Sequence, residues 1–145
     1  MARILVVDDD KLFAAMMRHD LARKGHEPIV VDSAADALAL LAANVRIDLV
    51  LTDIMMPDMD GIELIQALRV SHPTMPIIGV SSGGERYCPY IFTMARVLGA
   101  DCVLHKPVDG QVVSGSIHRL LYENPAFAAE ADRHPASQGD RQING

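Results

Sequence analysis

Cysteine is scarce: Cys88 and Cys102 are the two in 145 residues, and they form neither a CxxC pair nor a metal-ligand spacing. That excludes a disulfide framework and a thiolate metal centre. Both thiols are expected to be reduced, in a cytoplasmic protein. Long apolar runs are also missing. The longest in the first half, residues 37–43, falls far short of the roughly 18–20 residues of a membrane span, so no membrane partner is expected. No basic start, apolar core and small-residue cleavage site opens the chain, so no secretory signal is read there. Positive charge is in deficit. Lys and Arg number 13 against 19 Asp and Glu, a net of −6, which suits DNA binding poorly. Neither GxxxxGK[ST] nor GxGxxG occurs, so those nucleotide loops are absent. What is present is a chain half apolar and 22% charged, enough for one buried core with a modest remainder.

Short β-branched runs alternate with helical stretches. Arg3-Ile-Leu-Val-Val7 reads as a strand buried on both faces. Residues 11–24 carry Phe13, Met16, Met17 and Leu21 on one helical stripe, and Gly25 ends it. Residues 27–32 form a second strand, which Pro28 places at a sheet edge. Ser33 caps a second helix with Ala34, Ala37, Leu38 and Leu41 inward. Strands follow over residues 48–52, 76–81 and 102–105. Helices carry Gly61, Leu64, Ile65 and Leu68, then Ile91, Met94, Ala95 and Leu98, then Val113, Ser116, Ile117 and Leu120. Pro89 suits the first turn of the fourth helix, and Gly99 stops it. Five βα units predict an α/β, flavodoxin-like (βα)5 doubly wound parallel sheet of order 2-1-3-4-5. Residues 1–122 form the domain. Residues 123–145 are expected to be a flexible tail, with one short helix over 126–133.

In such a sheet, ligands bind beyond the carboxyl ends of the strands. Those ends carry Asp8-Asp9-Asp10, Asp53, Ser81-Ser82 and His105-Lys106-Pro107. The strand order sets Asp53 between the acidic cluster and the hydroxyls, with Lys106 beyond. Two carboxylates ~4 Å apart repel by roughly 4 kcal/mol at an effective dielectric near 20. Asp8, Asp9 and Asp53 therefore call for a hard divalent cation, and Mg²⁺ suits carboxylates, waters and phosphate oxygens. A metal site, a free carboxylate, a hydroxyl and an ammonium are the parts of phosphoryl transfer. Asp10 reads as a helix cap. His105 is expected to face away from Lys106 and pack under a helix. Met55, Met56 and Met59 read as loop packing.

Over about residues 2–122 the chain resembles a response regulator receiver domain. The resemblance rests on Val7-Asp8-Asp9, on Asp53-Ile-Met-Met-Pro-Asp-Met-Asp-Gly61, on Ser81 after an apolar strand and on Lys106-Pro107. It implies a two-component signalling role. Asp53 would accept a phosphoryl group from a sensor histidine kinase or histidine phosphotransfer protein. Asp9, Asp53 and the Met55 main-chain carbonyl would bind Mg²⁺, with Asp8 helping through water. Lys106 would pair with the phosphoryl oxygens, and its bond to Pro107 is often cis in the family. Ser81 would turn inward and reshape the face of helix four, strand five and helix five. The implied partners are the phosphodonor and a downstream protein, with a homodimer on phosphorylation also admitted. The chain would catalyse only its own phosphorylation and dephosphorylation.

The sequence departs from the family pattern in four places. Val103 stands where an aromatic is common, and Ser81 where threonine is commoner. The loop over 82–88 is longer than usual. Met55 and Gly83 sit at positions that modulate hydrolysis, and neither can hold a water through a polar side chain, so slow self-dephosphorylation is expected. One alternative is a haloacid-dehalogenase-like phosphatase with Asp8 as nucleophile and Asp10 as acid/base. Another is the receiver fragment of a longer multidomain regulator. A single-domain regulator acting by protein contact is the favoured expectation.

Overall fold

The computed structural model describes residues 1–56, 61–81 and 90–123. The expected loop over 82–88, Pro89, Gly83, Met59 and the tail beyond Glu123 lie outside the described residues. The elements run β1 (Arg3–Val7), α1 (Lys11–Arg23), β2 (Glu27–Val31), α2 (Ala34–Ala42), β3 (Leu49–Asp53), α3 (Gly61–Ser71), β4 (Ile77–Ser81), α4 (Ile91–Leu98), β5 (Cys102–His105) and α5 (Gly110–His118). A π-helical turn, Arg119–Glu123, continues α5. All strand pairings are parallel, in the order β2-β1-β3-β4-β5.

Strand periodicity divides the core into two layers. Leu5, Val7, Val50 and Ile77 point to one face, where Ala37, Leu41, Leu64, Leu68, Ile91 and Ala95 of α2, α3 and α4 cover them. Ile4, Val6, Leu49, Leu51, Ile78 and Val80 point to the other, under Phe13, Met17 and Leu21 of α1 and Val113 and Ile117 of α5. Successive side chains of a strand face opposite ways, so the unbroken apolar runs are what a doubly covered sheet requires.

The Pro28 argument holds in detail. Glu27 N–H donates to Ala2 O at 2.9 Å, and Asp8 N–H donates to Val31 O at 3.1 Å. Odd-numbered residues of β2 thus face β1, and the position lacking an N–H lies on the open edge. Asp10 caps α1 by accepting from Leu12 and Phe13 N–H, and Ser33 caps α2 by accepting from Asp36 N–H. Two expectations fail. Met16 is 48% exposed and Met94 42% exposed. The buried stripe of α1 includes Ala14, which rotates it away from Met16; on α4 it centres on Ile91 and Ala95, leaving Met94 at its margin. At ~3.6 residues per turn, one added or missing contact shifts such a stripe by a full position.

At the end of the sheet opposite the carboxyl termini, Arg69 joins two connections. Its Nε donates to Gly99 O at 2.9 Å, its Nη1 to Met75 O at 2.7 Å, and its Nη2 to Asp101 Oδ2 at 2.8 Å. The same carboxylate accepts from Ile77 N–H at 2.8 Å. Gly99, at φ 134°, lies directly under the arginine side chain, where a Cβ would overlap Arg69 Cγ. Burial pushes the Asp101 carboxyl above its ordinary value, and the Ile77 N–H and Arg69 oppose this only in part. Arg69→Met is expected to cost about 2 kcal/mol in chemical denaturation, since it strips a half-buried carboxylate and several carbonyls of their donor. An unchanged midpoint would refute the clamp.

Candidate functional site

Four adjacent strand ends deliver the predicted residues to one place. Asp8 follows β1, Asp53 ends β3, Ser81 ends β4 and Lys106 follows β5. Carboxylate oxygens of Asp8, Asp9 and Asp53 all lie within 4.8 Å of one another. Lys106 Nζ stands 2.8 Å from Asp8 Oδ2 and 3.8 Å from Asp53 Oδ2. Asp8 and Asp53 are buried, and Asp9 is exposed at the mouth. The Ser81 side chain is buried, and its Oγ has no hydrogen-bond partner among the described residues. The Lys106-Pro107 peptide is cis, as expected.

Local structure holds these groups in register. Asp8 Oδ1 accepts from Asp10 N–H at 2.8 Å, which fixes the carboxylate as the chain turns into α1. Asp53 Oδ1 accepts from Met55 N–H at 3.1 Å. Thr52 Oγ1 donates to Asp53 O at 2.9 Å, and Gly61 N–H donates to Ile54 O at 2.8 Å. Gly61 rests so close to the Asp53 carbonyl that any Cβ would collide with it. The glycine is therefore needed for close approach, bringing α3 onto the backbone of the central carboxylate. Lys106 N–H donates to Ser81 O at 2.7 Å, which ties the fourth and fifth strand ends together.

Other sequence expectations sort cleanly. Asp10 spends its side chain as a cap, so it is no free acid/base, and Asp8 is held by Lys106 and Asp10 N–H. The phosphatase reading, which needs Asp8 as a free nucleophile and Asp10 as its proton donor, is not favoured. The Met55 side chain is exposed, and its N–H serves Asp53. His105 lies on the α4 side, its ring 5.5 Å from that of Phe92, but it is exposed rather than covered. Val103, in the position of the missing aromatic, is buried in the layer that holds Ile91 and Ala95. Phe13 was legible only as a core residue. Its ring lies 4.3 Å from Lys106 Nζ.

The electrostatics are unbalanced. Among the described residues three carboxylates face one ammonium, and the Asp53 carboxyl is pushed from 3.8 up to about 6, first by burial and then by the Asp8 charge. Lys106 and the Met55 N–H pull the other way, and Asp9 adds a smaller upward push.

With this geometry established, the comparisons with known proteins are decisive. The sequence matches the response regulator receiver domain over residues 4–118. The chain belongs to that family. Receivers are the signalling modules of two-component response regulators, and this receiver shares their fold. A response regulator receiver domain protein from Clostridium thermocellum superposes with a TM-score of 0.79 at 26% identity, covering 88% of this chain and 99% of the other. The transcriptional regulatory protein CpxR of Escherichia coli K12 is 35% identical over 121 residues, 83% of this chain and 50% of CpxR. The alkaline phosphatase synthesis transcriptional regulatory protein PhoP of Bacillus subtilis is 28% identical over 130 residues, 90% of this chain and 52% of PhoP. The chain thus spans about half the length of the curated relatives it matches.

The pH dependence follows from Asp53. Its folded value lies above the ordinary 3.8, so the native state binds more protons than the unfolded one between 3.8 and about 6, and stability falls as pH rises through that window. Above it, holding the charge costs about 3 kcal/mol. Asp53→Asn is therefore expected to be more stable than the parent at pH 7 in metal-free buffer, with the gain gone at pH 4. Equal melting curves at both pH values would contradict this.

Proposed function

We propose that this receiver takes a phosphoryl group on Asp53 from a phosphohistidine of a sensor histidine kinase or histidine phosphotransfer protein. The O–P bond to an Asp53 carboxylate oxygen forms as the N–P bond to the donor imidazole breaks. The bonding pair stays on that nitrogen, which takes up a proton from solvent. The observation that carries this reading is the meeting of the Asp8, Asp9 and Asp53 carboxylates within 4.8 Å, with Lys106 reaching into the same cluster.

The donor set is all hard oxygen and has excess negative charge, which fits Mg²⁺. Asp9, Asp53 and the Met55 main-chain carbonyl would hold it, with Asp8 adding charge and a contact through water. When bound, the ion supplies neutralisation of the phosphoryl oxygens. Lys106 already stands between Asp8 and Asp53, and its ammonium meets the charge arriving on Asp53. The Ser81 Oγ, which has no hydrogen-bond partner among the described residues, turns inward and supplies a donor for one phosphoryl oxygen. That movement passes to the face of α4, β5 and α5, where a downstream protein docks or a second copy pairs on phosphorylation. DNA is not contacted directly.

On this reading residues 1–122 constitute the receiver, in a cytoplasmic protein acting through protein contact. Among the described residues no helix is long and apolar enough to cross a membrane. The reaction catalysed is confined to the chain's own phosphorylation and dephosphorylation.

Incubation with acetyl phosphate and Mg²⁺, followed by mass spectrometry, is expected to place one phosphoryl group on Asp53, with none on Asp53→Asn. Modification at Asp8 or elsewhere would overturn the assignment. Met55 presents no polar side-chain atom to a hydrolytic water, so the labelled form is expected to outlast minutes. Loss within seconds, followed by ³²P release, would contradict that.

A further inference from the structure

We infer that Phe13 is a positioning residue for this reaction, holding the Lys106 ammonium through the face of its ring; the inference rests on the phosphoacceptor reading above. Lys106 Nζ sits 4.3 Å from the Phe13 ring centroid. Phe13 is 8% exposed, and the Lys106 side chain is 10% exposed. A cation over an aromatic face is held most strongly when both are withdrawn from water.

The contact closes a circuit. Asp8 Oδ1 accepts from Asp10 N–H at 2.8 Å. Asp10 Oδ1 accepts from Phe13 N–H at 3.2 Å, which sets the phenylalanine in the first turn of α1. The ring then meets Lys106, and Lys106 Nζ returns to Asp8 Oδ2 at 2.8 Å. Each member fixes the next, and the acidic strand end thereby aims the ammonium on which the incoming charge depends.

An aromatic ring has an advantage here that a polar partner lacks. Lysine is a point charge on a flexible four-carbon stem and carries three donors. A carboxylate or carbonyl holding it would occupy a donor. The ring attracts the charge and occupies none. The three N–H groups stay available for Asp8, for Asp53 and for a phosphoryl oxygen. Leucine would fill the same core space without holding the charge. The ammonium and a divalent cation are rivals for the Asp8 and Asp53 carboxylates, so the inference predicts effects of different sign. Loosening Lys106 slows phosphoryl transfer without weakening Mg²⁺ binding.

The test replaces Phe13 with mono-, di- and trifluorinated phenylalanine, which keep the ring's shape while draining its face of negative potential, and separately with leucine. The rate of Asp53 labelling by acetyl phosphate at saturating Mg²⁺ is expected to fall stepwise with fluorine number, and roughly tenfold in Phe13→Leu. Calorimetric Mg²⁺ affinity is expected to hold or rise. The Lys106 ammonium protons, followed by NMR in the metal-free protein, are expected to exchange with solvent faster at each step. Should Phe13→Leu fail to fold, the fluorinated series decides. Equal rates and equal proton exchange across that series would overturn the inference, as would a parallel fall in Mg²⁺ affinity. If the unsubstituted protein is not labelled at Asp53, the phosphoacceptor reading fails on its own, and the graded ammonium exchange still decides whether the ring holds Lys106.

Discussion

The ion pair between Lys106 and Asp8 spans 98 residues of sequence and sets the terms for the rest of the site. Without it, three carboxylates would converge at the end of a sheet with no opposing charge among the described residues. With it, the cluster is tolerable but still unbalanced. One ammonium close to Asp8 and more distant from Asp53 cannot satisfy both, and Asp53 keeps a value near 6. Backbone donors supply part of the remainder. Asp10 N–H serves Asp8, and Met55 N–H serves Asp53. These are short loops whose turn geometry is fixed by the acids themselves, so the same residues shape the loop and carry the charge.

The sheet makes such crowding affordable by separating stability from chemistry. Both faces are spent on apolar layers, and only the strand ends remain for polar groups. At one end stand Asp8, Asp53, Ser81 and Lys106. At the other stands Arg69, which gathers carbonyls and the Asp101 carboxylate. The two ends share strands β4 and β5 but no side chains. Charge strain at the carboxyl end is therefore borne by a scaffold whose far end is independently pinned.

Much of this was legible in the sequence, because the signals were local. Pro28 announces an edge strand through a missing N–H. Alternation of βα units fixes the sheet, and the sheet fixes which residues lie at its carboxyl ends. The clusters that hold Asp8, Asp9, Asp53, Ser81 and Lys106 follow from that, and the resemblance to the family singles these residues out from their neighbours Asp10, Ser82 and His105. What escaped depends on contacts between distant segments. The rotation of α1 and α4 that exposes Met16 and Met94 is decided by what each helix packs against. Phe13 looks like any core residue until β5 brings Lys106 over its ring. Arg69 has no local signature, since its partners lie in two connections that meet only after folding. The backbone approach of Gly61 to Asp53 is likewise a tertiary fact behind an ordinary-looking turn glycine.

Two features of the site have opposite polarity. The carboxylate cluster carries more negative charge than Lys106 offsets, so it favours a cation. The Ser81 hydroxyl, buried without a partner among the described residues, favours an acceptor oxygen. A phosphoryl group alone would relieve the second and aggravate the first, because its oxygens add negative charge beside Asp8 and Asp9. A cation alone would relieve the first and leave the second. Only the two together satisfy both, which makes their binding mutually reinforcing by linkage. On the proposed reading, the same imbalance that raises Asp53 is therefore what couples metal occupancy to phosphorylation, and no separate device is needed to enforce it.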